Sequence, residues 1–119
     1  MTDASSAARR FGESQWLTQD ELARLSIIVE ELVANLYEHG GMTGDQQVGL
    51  AFLSEPGAIR ITIRDPGTAF DPRTAQPARQ RPERGGSAGI DIVRAWAVFL
   101  DYEATSDGNR LELLLPVGT

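Results

Sequence analysis

Hydrophobic residues recur every three or four positions in the first third of the chain, and at every second position in several later segments. The first pattern predicts a long amphipathic helix that ends at Gly40 and Gly41. We expect the helix to begin at residues 18–21, where a threonine followed three residues later by a glutamate forms a capping box. Its apolar stripe consists of Leu22, Leu25, Val29, Leu32 and Leu36.

The alternating segments predict β-strands. Residues 48–52 and 59–63 place a hydrophobic side chain at every second position, and a Glu-Pro-Gly turn at residues 55–57 separates them. This arrangement predicts an antiparallel hairpin. Two further strands are expected at residues 100–105 and 110–115, after a short helix at residues 87–98.

The last two strands predict how the sheet is covered. Their alternation puts apolar side chains on one side: Leu100, Tyr102, Ala104, Leu111, Leu113 and Leu115. The other side is charged, so helices cover only one face. The predicted fold is α/β (α+β): a two-layer sandwich with a mixed, mainly antiparallel sheet of about four strands. We expect one domain over residues 1–119, with a short N-terminal segment at 1–17 that forms one or two helical turns.

Composition excludes several kinds of chemistry. The 119 residues include 17 acidic and 11 basic side chains, and the formal charge of −6 argues against nucleic acid as a partner. All basic residues are arginine, so P-loop and Schiff-base lysines are excluded. Without cysteine and with a single histidine, neither a thiolate nucleophile nor a multi-histidine metal site is available. The absence of cysteine also favours a cytoplasmic protein, because nothing in the chain calls for an oxidising compartment. The apolar runs are shorter than the ~20 residues that cross a bilayer, so we expect no membrane contact.

The long helix carries the first group of candidate functional residues. Glu31, Asn35 and His39 are spaced by four and follow one helix face beside the apolar stripe. A carboxylate, an amide and an imidazole at the edge of a core can converge on a ligand. Ordinary amphipathicity, with His39 stabilised by the helix dipole, explains the same spacing.

A second group follows the predicted strand at residues 59–63. The segment DPGTAFDP at residues 65–72 puts Asp65 at the strand end, where its carboxylate can accept a hydrogen bond from an exocyclic amine. Gly67 allows a flat ring to approach the backbone. The alternative is a plain Asp-Pro-Gly turn. The irregular stretch over residues 65–86 is long for a domain of this size, and such loops are commonly functional or mobile.

A third group lies in RGGSAGIDIV at residues 84–93, where a glycine-rich turn opens into the predicted second helix. Free backbone N–H groups at a helix start bind anions, and Arg84 is placed to assist. The glycines are equally compatible with a flexible hinge.

In this order and spacing, the three segments resemble the N, G1 and G2 boxes of the GHKL ATPases, the superfamily of gyrase and histidine-kinase catalytic domains. The segment ELVANLYEHG at residues 31–40 is most similar to the anti-sigma-factor serine kinases, and the resemblance extends over residues 17–115. It implies the Bergerat-type ATP-binding fold and a Mg-ATP pocket between helices and sheet.

The resemblance also implies residue roles. Glu31 is the general base, Asn35 holds Mg²⁺, and Asp65 reads the adenine amine. The nucleotide contacts that it implies are His39, Gly67, Phe70, Arg84, Gly85, Gly86, Ser87 and Gly89. We therefore expect Asn35 and Asp65 to meet around one nucleotide.

The resemblance implies a bacterial regulatory serine-protein kinase that phosphorylates a small anti-sigma-antagonist (STAS-like) protein. A sigma factor is a second candidate partner, and a homodimer is a candidate assembly. The alternative is a non-catalytic module of the same fold in which ATP binding only switches the conformation.

Overall fold

The computed structural model describes residues 2–39, 46–67 and 86–118, with side chains for residues 6–38, 46–67 and 91–118. The elements are α1 (Thr2–Ser14), α2 (Gln19–His39), β1 (Gly49–Glu55), β2 (Ala58–Asp65), α3 (Gly86–Trp96), β3 (Val98–Thr105) and β4 (Gly108–Pro116). The four strands form one sheet in the order β1-β2-β4-β3, and all three pairings are antiparallel. This architecture confirms the predicted α+β sandwich with a four-stranded sheet.

Helix α2 begins at the predicted capping box. The Thr18 N–H donates to Glu21 Oε1 at 2.9 Å, and the Glu21 N–H donates to Thr18 Oγ1 at 3.1 Å. Glu21 Oε2 also accepts the N–H of Gly118 at 2.6 Å, and these hydrogen bonds, with that from Thr18 first, lower the pKa of Glu21. One glutamate therefore joins the start of α2 to the chain just after β4.

The core lies between α2 and the inner face of the sheet. On that face Ile61 pairs with Leu113, and both side chains are fully buried. The stripe of α2 packs against this face through Leu25, Ile28, Val29, Leu32, Val33 and Leu36. Arg24 of α2 lies over the Trp96 ring of α3 at 5.4 Å from its centroid, a cation–π contact between the two helices. Among the described residues, no helix is long and apolar enough to span a bilayer.

Helix α1 corrects the prediction of one or two helical turns. It has 13 residues and is part of the core: Ala8 is fully buried, and Phe11 stacks on Phe52 of β1 with ring centroids 5.2 Å apart. Helices α1 and α2 approach so closely that a side chain at Gly12 of α1 would collide with Leu22 of α2. Packing against α2 therefore stabilises a helix that the composition of the segment alone does not predict at this length.

A β-bulge corrects the predicted face of β3. Phe99 pairs with Leu113 and Asp101 pairs with Glu112, so Leu100 is an extra residue without a partner on β4. The extra residue puts Phe99 on the inner face with Tyr102, whereas Leu100 is 38% exposed. The alternation predicted Leu100 as an inner residue, and that prediction was wrong.

Candidate functional site

Helix α2 contributes Asn35, which is buried at the edge of the core. Its Nδ2 donates to the Glu31 backbone oxygen at 2.7 Å, one helical turn earlier. This bond fixes the orientation of the amide and leaves Oδ1 as the acceptor. No donor among the described residues contacts that oxygen, so Asn35 presents a positioned carbonyl oxygen of the kind that hard cations bind.

Glu31 lies on the same helix face and is half-buried. Burial raises the pKa of its carboxyl group, and the neighbouring charges of Glu30 and Glu38 raise it further. Within the described part of the chain no arginine forms an ion pair with Glu31. A carboxylate with a raised pKa is suited to accept a proton.

Asp65 is the last residue of β2, and hydrogen bonds hold one of its two carboxylate oxygens. Oδ1 accepts the Gly67 N–H at 2.9 Å and Asn109 Nδ2 at 3.0 Å. Asn109 also donates to the Gly67 carbonyl at 3.0 Å, so one buried amide joins the strand end to the turn that follows. Over the described residues, Oδ2 receives no hydrogen bond and is available to a ligand.

Gly108 allows the close approach of β4 to this strand end. Its φ of +135° lies in a region that side chains rarely adopt, and a Cβ there would be 2.7 Å from the Asp65 carbonyl oxygen. Only glycine fits this position without displacing Asp65.

Asn35 and Asp65 line the same cavity, as the sequence predicts. Its other walls are Leu32, Leu36, Ile63, Tyr102 and Leu111. The cavity volume is about 10 Å³, which is enough for one water molecule. Polar groups from α2 and from the end of β2 therefore meet in one small, mostly apolar cavity.

A larger cavity of about 490 Å³ lies beside the first and shares Asp65 with it. It opens between the β2 end and the β3–β4 turn and is lined by exposed polar groups, including Arg64, Glu103 and Asp107. Neither Asn35 nor any other residue of α2 reaches it. The smaller cavity is therefore the one in which Asn35 and Asp65 come together.

The remaining predicted residues are distributed as follows. Gly86, Ser87 and Gly89 lie in the first turns of α3, so the glycine-rich segment does lead into a helix start. His39 is the last residue of α2, but its side chain is not among those described. Phe70, Arg84 and Gly85 lie outside the described residues.

Sequence reasoning missed Asn109, Gly108 and Tyr102. Asn109 falls between the two strands predicted at residues 100–105 and 110–115, and only the strand register shows that it lies directly opposite Asp65. A signal was present, because pairing Ile63 with Leu111 in an antiparallel sheet places residues 65 and 109 opposite each other. Tyr102 was expected on the apolar side of β3 but not in the site.

The donor set fits Mg²⁺ bound together with a phosphate ligand better than an all-protein metal centre. No group of three or more histidines and carboxylates able to hold a metal occurs in the described ranges. A magnesium ion commonly takes one or two protein oxygens and completes its shell with water and phosphate oxygens. The positioned Oδ1 of Asn35 supplies one such oxygen.

Comparisons with known proteins identify the family of the chain. The family model of the histidine kinase-like ATPase domain matches residues 1–115. No curated protein matches the chain. One solved structure similar to it is the Erythrobacter litoralis EL346 blue-light activated histidine kinase, with a TM-score of 0.60 and 17% identity over 85% of this chain and 32% of that one. The histidine kinase domain from the same protein gives a TM-score of 0.56 and 18% identity over 82% of this chain and 45% of that one.

These structures show a shared fold, and the chain spans less than half of the length of either. The family match confirms the superfamily predicted from the three motifs, whereas the anti-sigma serine-kinase family stays a prediction. Because the family model covers nearly the whole sequence, the chain belongs to the histidine kinase-like ATPase domain family.

Proposed function

We propose that this chain binds Mg-ATP and transfers its γ-phosphoryl group to a serine of a small anti-sigma-antagonist (STAS-like) protein. Domains of its family bind ATP, usually with Mg²⁺. The observation that carries the proposal for this chain is the cavity shared by Asn35 and Asp65. A sigma factor is a second partner within the same proposal.

Adenine recognition rests on Asp65. Gly67 and Asn109 occupy Oδ1, so Oδ2, which receives no hydrogen bond from the described residues, accepts the hydrogen bond of the exocyclic amine. Ile63, Leu36 and Tyr102 supply apolar contacts for the ring. A water-poor cavity with one directed acceptor favours adenine over guanine, which presents a carbonyl oxygen where adenine has its amine.

Phosphate binding is divided between α2 and the start of α3. Asn35 Oδ1 is the protein ligand for Mg²⁺, which neutralises phosphate charge when bound. The backbone N–H groups at Gly86 and Ser87 begin α3 and face an anion with the positive end of the helix dipole. His39, Phe70, Arg84, Gly85 and Gly89 complete the proposed nucleotide contacts.

Glu31 acts as the general base. In the transfer step the serine oxygen forms a bond to the γ-phosphorus, the bond from that phosphorus to the ADP oxygen breaks, and the serine proton passes to the Glu31 carboxylate. The base works only when deprotonated. Because burial raises the pKa of Glu31, we expect transfer to decline on acidification at a higher pH than an ordinary glutamate would give.

The size of the cavity favours a second candidate function, the ATP-dependent switch. A space for one water molecule does not admit a purine, so nucleotide binding requires Leu36, Tyr102 or their neighbours to move. A ligand that binds only the opened conformation shifts the population toward it. ATP would then control partner binding without phosphoryl transfer.

Radioactive transfer assays test the kinase proposal. The chain is incubated with Mg²⁺, γ-labelled ATP and purified antagonist domains encoded by neighbouring genes, and label on serine is measured. We expect Glu31→Ala to abolish labelling and keep ATP affinity, while Glu30→Ala, an exposed neighbour on the same helix, keeps both. ATP binding by calorimetry with no phosphoserine on any cognate domain would favour the switch, and absence of ATP binding would refute both functions.

Asp65→Asn tests the shared cavity. The exchange leaves the shape of the side chain but replaces one carboxylate oxygen with an N–H donor, so the adenine amine loses its acceptor or must compete for it. We expect ATP affinity to fall at least tenfold. An unchanged affinity would show that the nucleotide does not use Asp65.

A further inference from the structure

Asn109 lies near the start of β4, directly opposite Asp65 in the strand register, and it is buried. Both hydrogens of its amide nitrogen are used: Nδ2 donates to Asp65 Oδ1 and to the Gly67 carbonyl oxygen, each at 3.0 Å. Because both neighbours are acceptors, only the NH₂ end of the amide can face them. Two hydrogen bonds to the end of β2 and to the turn that follows therefore fix the orientation of the Asn109 side chain.

These bonds make the two oxygens of the Asp65 carboxylate unequal. Oδ1 accepts one hydrogen bond from Asn109 and one from the Gly67 N–H at 2.9 Å, whereas no described residue donates to Oδ2. The Gly67 bond alone is a local turn contact, and a carboxylate in such a turn can offer either oxygen by rotating about χ2. Asn109 approaches from the neighbouring strand, so it adds a second direction that the carboxylate must satisfy at the same time.

We propose that Asn109 is a positioning residue that sets the base selectivity of the nucleotide site. The inference rests on the proposed function, in which Asp65 Oδ2 accepts the exocyclic amine of adenine. Asn109 lines the larger cavity and not the one shared by Asn35 and Asp65, so it acts through Asp65 and does not itself contact the base. By occupying Oδ1, it leaves Oδ2 as the one carboxylate oxygen that the amine can use.

The position calls for two donors on one atom. A threonine has a single hydroxyl hydrogen and an ionised aspartate has no donor, so neither can hold Asp65 and Gly67 at the same time. Gly108 brings the backbone of β4 close enough, because a Cβ there would lie 2.7 Å from the Asp65 carbonyl oxygen. Gly108 and Asn109 together thus provide the close backbone approach and the two donors.

The affinities of the full chain for two nucleotides test this role. Calorimetry compares Mg-ATP with the Mg²⁺ complex of purine riboside 5′-triphosphate, which carries a hydrogen in place of the exocyclic amine. We expect the wild-type chain to bind ATP at least about tenfold more tightly, because only ATP donates to Asp65. In Asn109→Ala the ratio of the two affinities should fall to about threefold or less, because ATP loses its directed acceptor while the contacts common to both nucleotides remain.

A double-mutant cycle shows whether Asn109 acts through Asp65. Adding Asn109→Ala to the Asp65→Asn variant should not change the affinity ratio further, because the carboxylate that Asn109 positions is already gone. Thr105→Val, in the β3–β4 turn, is the matched control, since it also removes two hydrogen bonds, with Gly108 at 2.9 Å and with Asp107 at 3.1 Å. Neither of these bonds involves Asp65, so the ratio in Thr105→Val should equal that of the wild type.

Asn109→Thr is a second variant in case Asn109→Ala does not fold. Threonine is favoured in strands and retains one donor, so its affinity ratio should lie between those of the wild type and Asn109→Ala. Circular dichroism spectra that match the wild type show that each variant is folded.

The outcomes separate this role from the proposed function. A folded variant at position 109 that weakens both nucleotides equally, or that leaves both affinities unchanged, would overturn the positioning role while ATP binding stands. A wild-type chain that binds both nucleotides equally would show that the amine is not recognised, which also overturns the role. A wild-type chain that binds neither nucleotide would contradict the proposed function and the positioning role together.

Discussion

The hydrogen bond between Asn109 and Asp65 can be tested by the isosteric change Asn109→Asp. In the wild-type chain Asn109 Nδ2 donates to Asp65 Oδ1 and to the Gly67 carbonyl, each at 3.0 Å. The variant replaces this donor with an acceptor oxygen in a site that is buried on both strands. A hydrogen bond to a charged group contributes about 1.5–3 kcal/mol and a neutral one about 1 kcal/mol, so we expect a loss of about 3 kcal/mol near pH 7.

The loss should depend on pH. Two carboxylates about 3 Å apart cannot both be charged, so one carboxyl pKa of the pair lies above its unfolded value of about 3.9 in the folded variant. Folded Asn109→Asp then binds a proton that the unfolded chain has released. The variant is therefore least destabilised at acidic pH, where a protonated carboxyl can donate to Asp65, and the deficit grows as the pH rises through the raised pKa.

Urea unfolding followed by tryptophan fluorescence between pH 4.5 and 8 measures this dependence. Asn109→Ala is the control, because it removes the same two hydrogen bonds without adding a charge, and its deficit should be nearly constant across the range. If the Asn109→Asp deficit were equally independent of pH, the side chain at position 109 would not lie against the Asp65 carboxylate, and the reasoning would be refuted.

Four further changes to stability follow and can be measured by the same denaturation. Gly57→Ala should cost about 1 kcal/mol, because its φ is +75° but no atom lies within 4 Å of the new Cβ. Gly108→Ala should cost more, because its new Cβ meets the Asp65 carbonyl oxygen. A larger loss of stability for Gly57→Ala than for Gly108→Ala would contradict this reasoning. Trp16→Gly should gain up to about 1 kcal/mol, because Trp16 has a φ of 61° and is 93% exposed; a loss would show that the ring packs on the protein. Ser26→Ala should gain about 1 kcal/mol, because the buried Oγ has no hydrogen-bond partner within the described ranges; a loss would reveal one.

Local signals predicted the parts of the fold that depend on a few neighbouring residues. The capping box located the start of α2, and the two alternating segments with the turn between them located the β1–β2 hairpin. The full length of helix α1 and the bulge at Leu100 were missed because each depends on tertiary contacts. Ala8 and Phe11 gain their burial only from α2 and β1, and an extra residue in β3 is visible only against the register of β4.

The candidate site shows the same division between residues predicted from local signals and residues that depend on tertiary contacts. Glu31 and Asn35 were predicted because four-residue spacing alone puts them on one helix face, and Asp65 was predicted because a strand pattern ends there. Asn109 lies 44 residues from Asp65 in the sequence, and the contact exists only because β2 and β4 are neighbours in the sheet. To predict a side chain that positions a functional group on a neighbouring strand, one must know the strand order, and hydrophobic periodicity does not provide that order.

Strand β2 contributes side chains to both faces of the sheet. Its odd-numbered residues from Ile59 to Asp65 face the core and end at the cavity shared by Asn35 and Asp65, while Arg60, at the other end of the strand, lies on the opposite face beside Leu53 of β1. Five residues at about 3.3 Å each separate Arg60 from Asp65 by about 16 Å along the sheet. The substituted position is therefore distant from the cavity, and Leu53→Glu should not alter ATP affinity. A change in that affinity would show that the two faces of the sheet are coupled through β2.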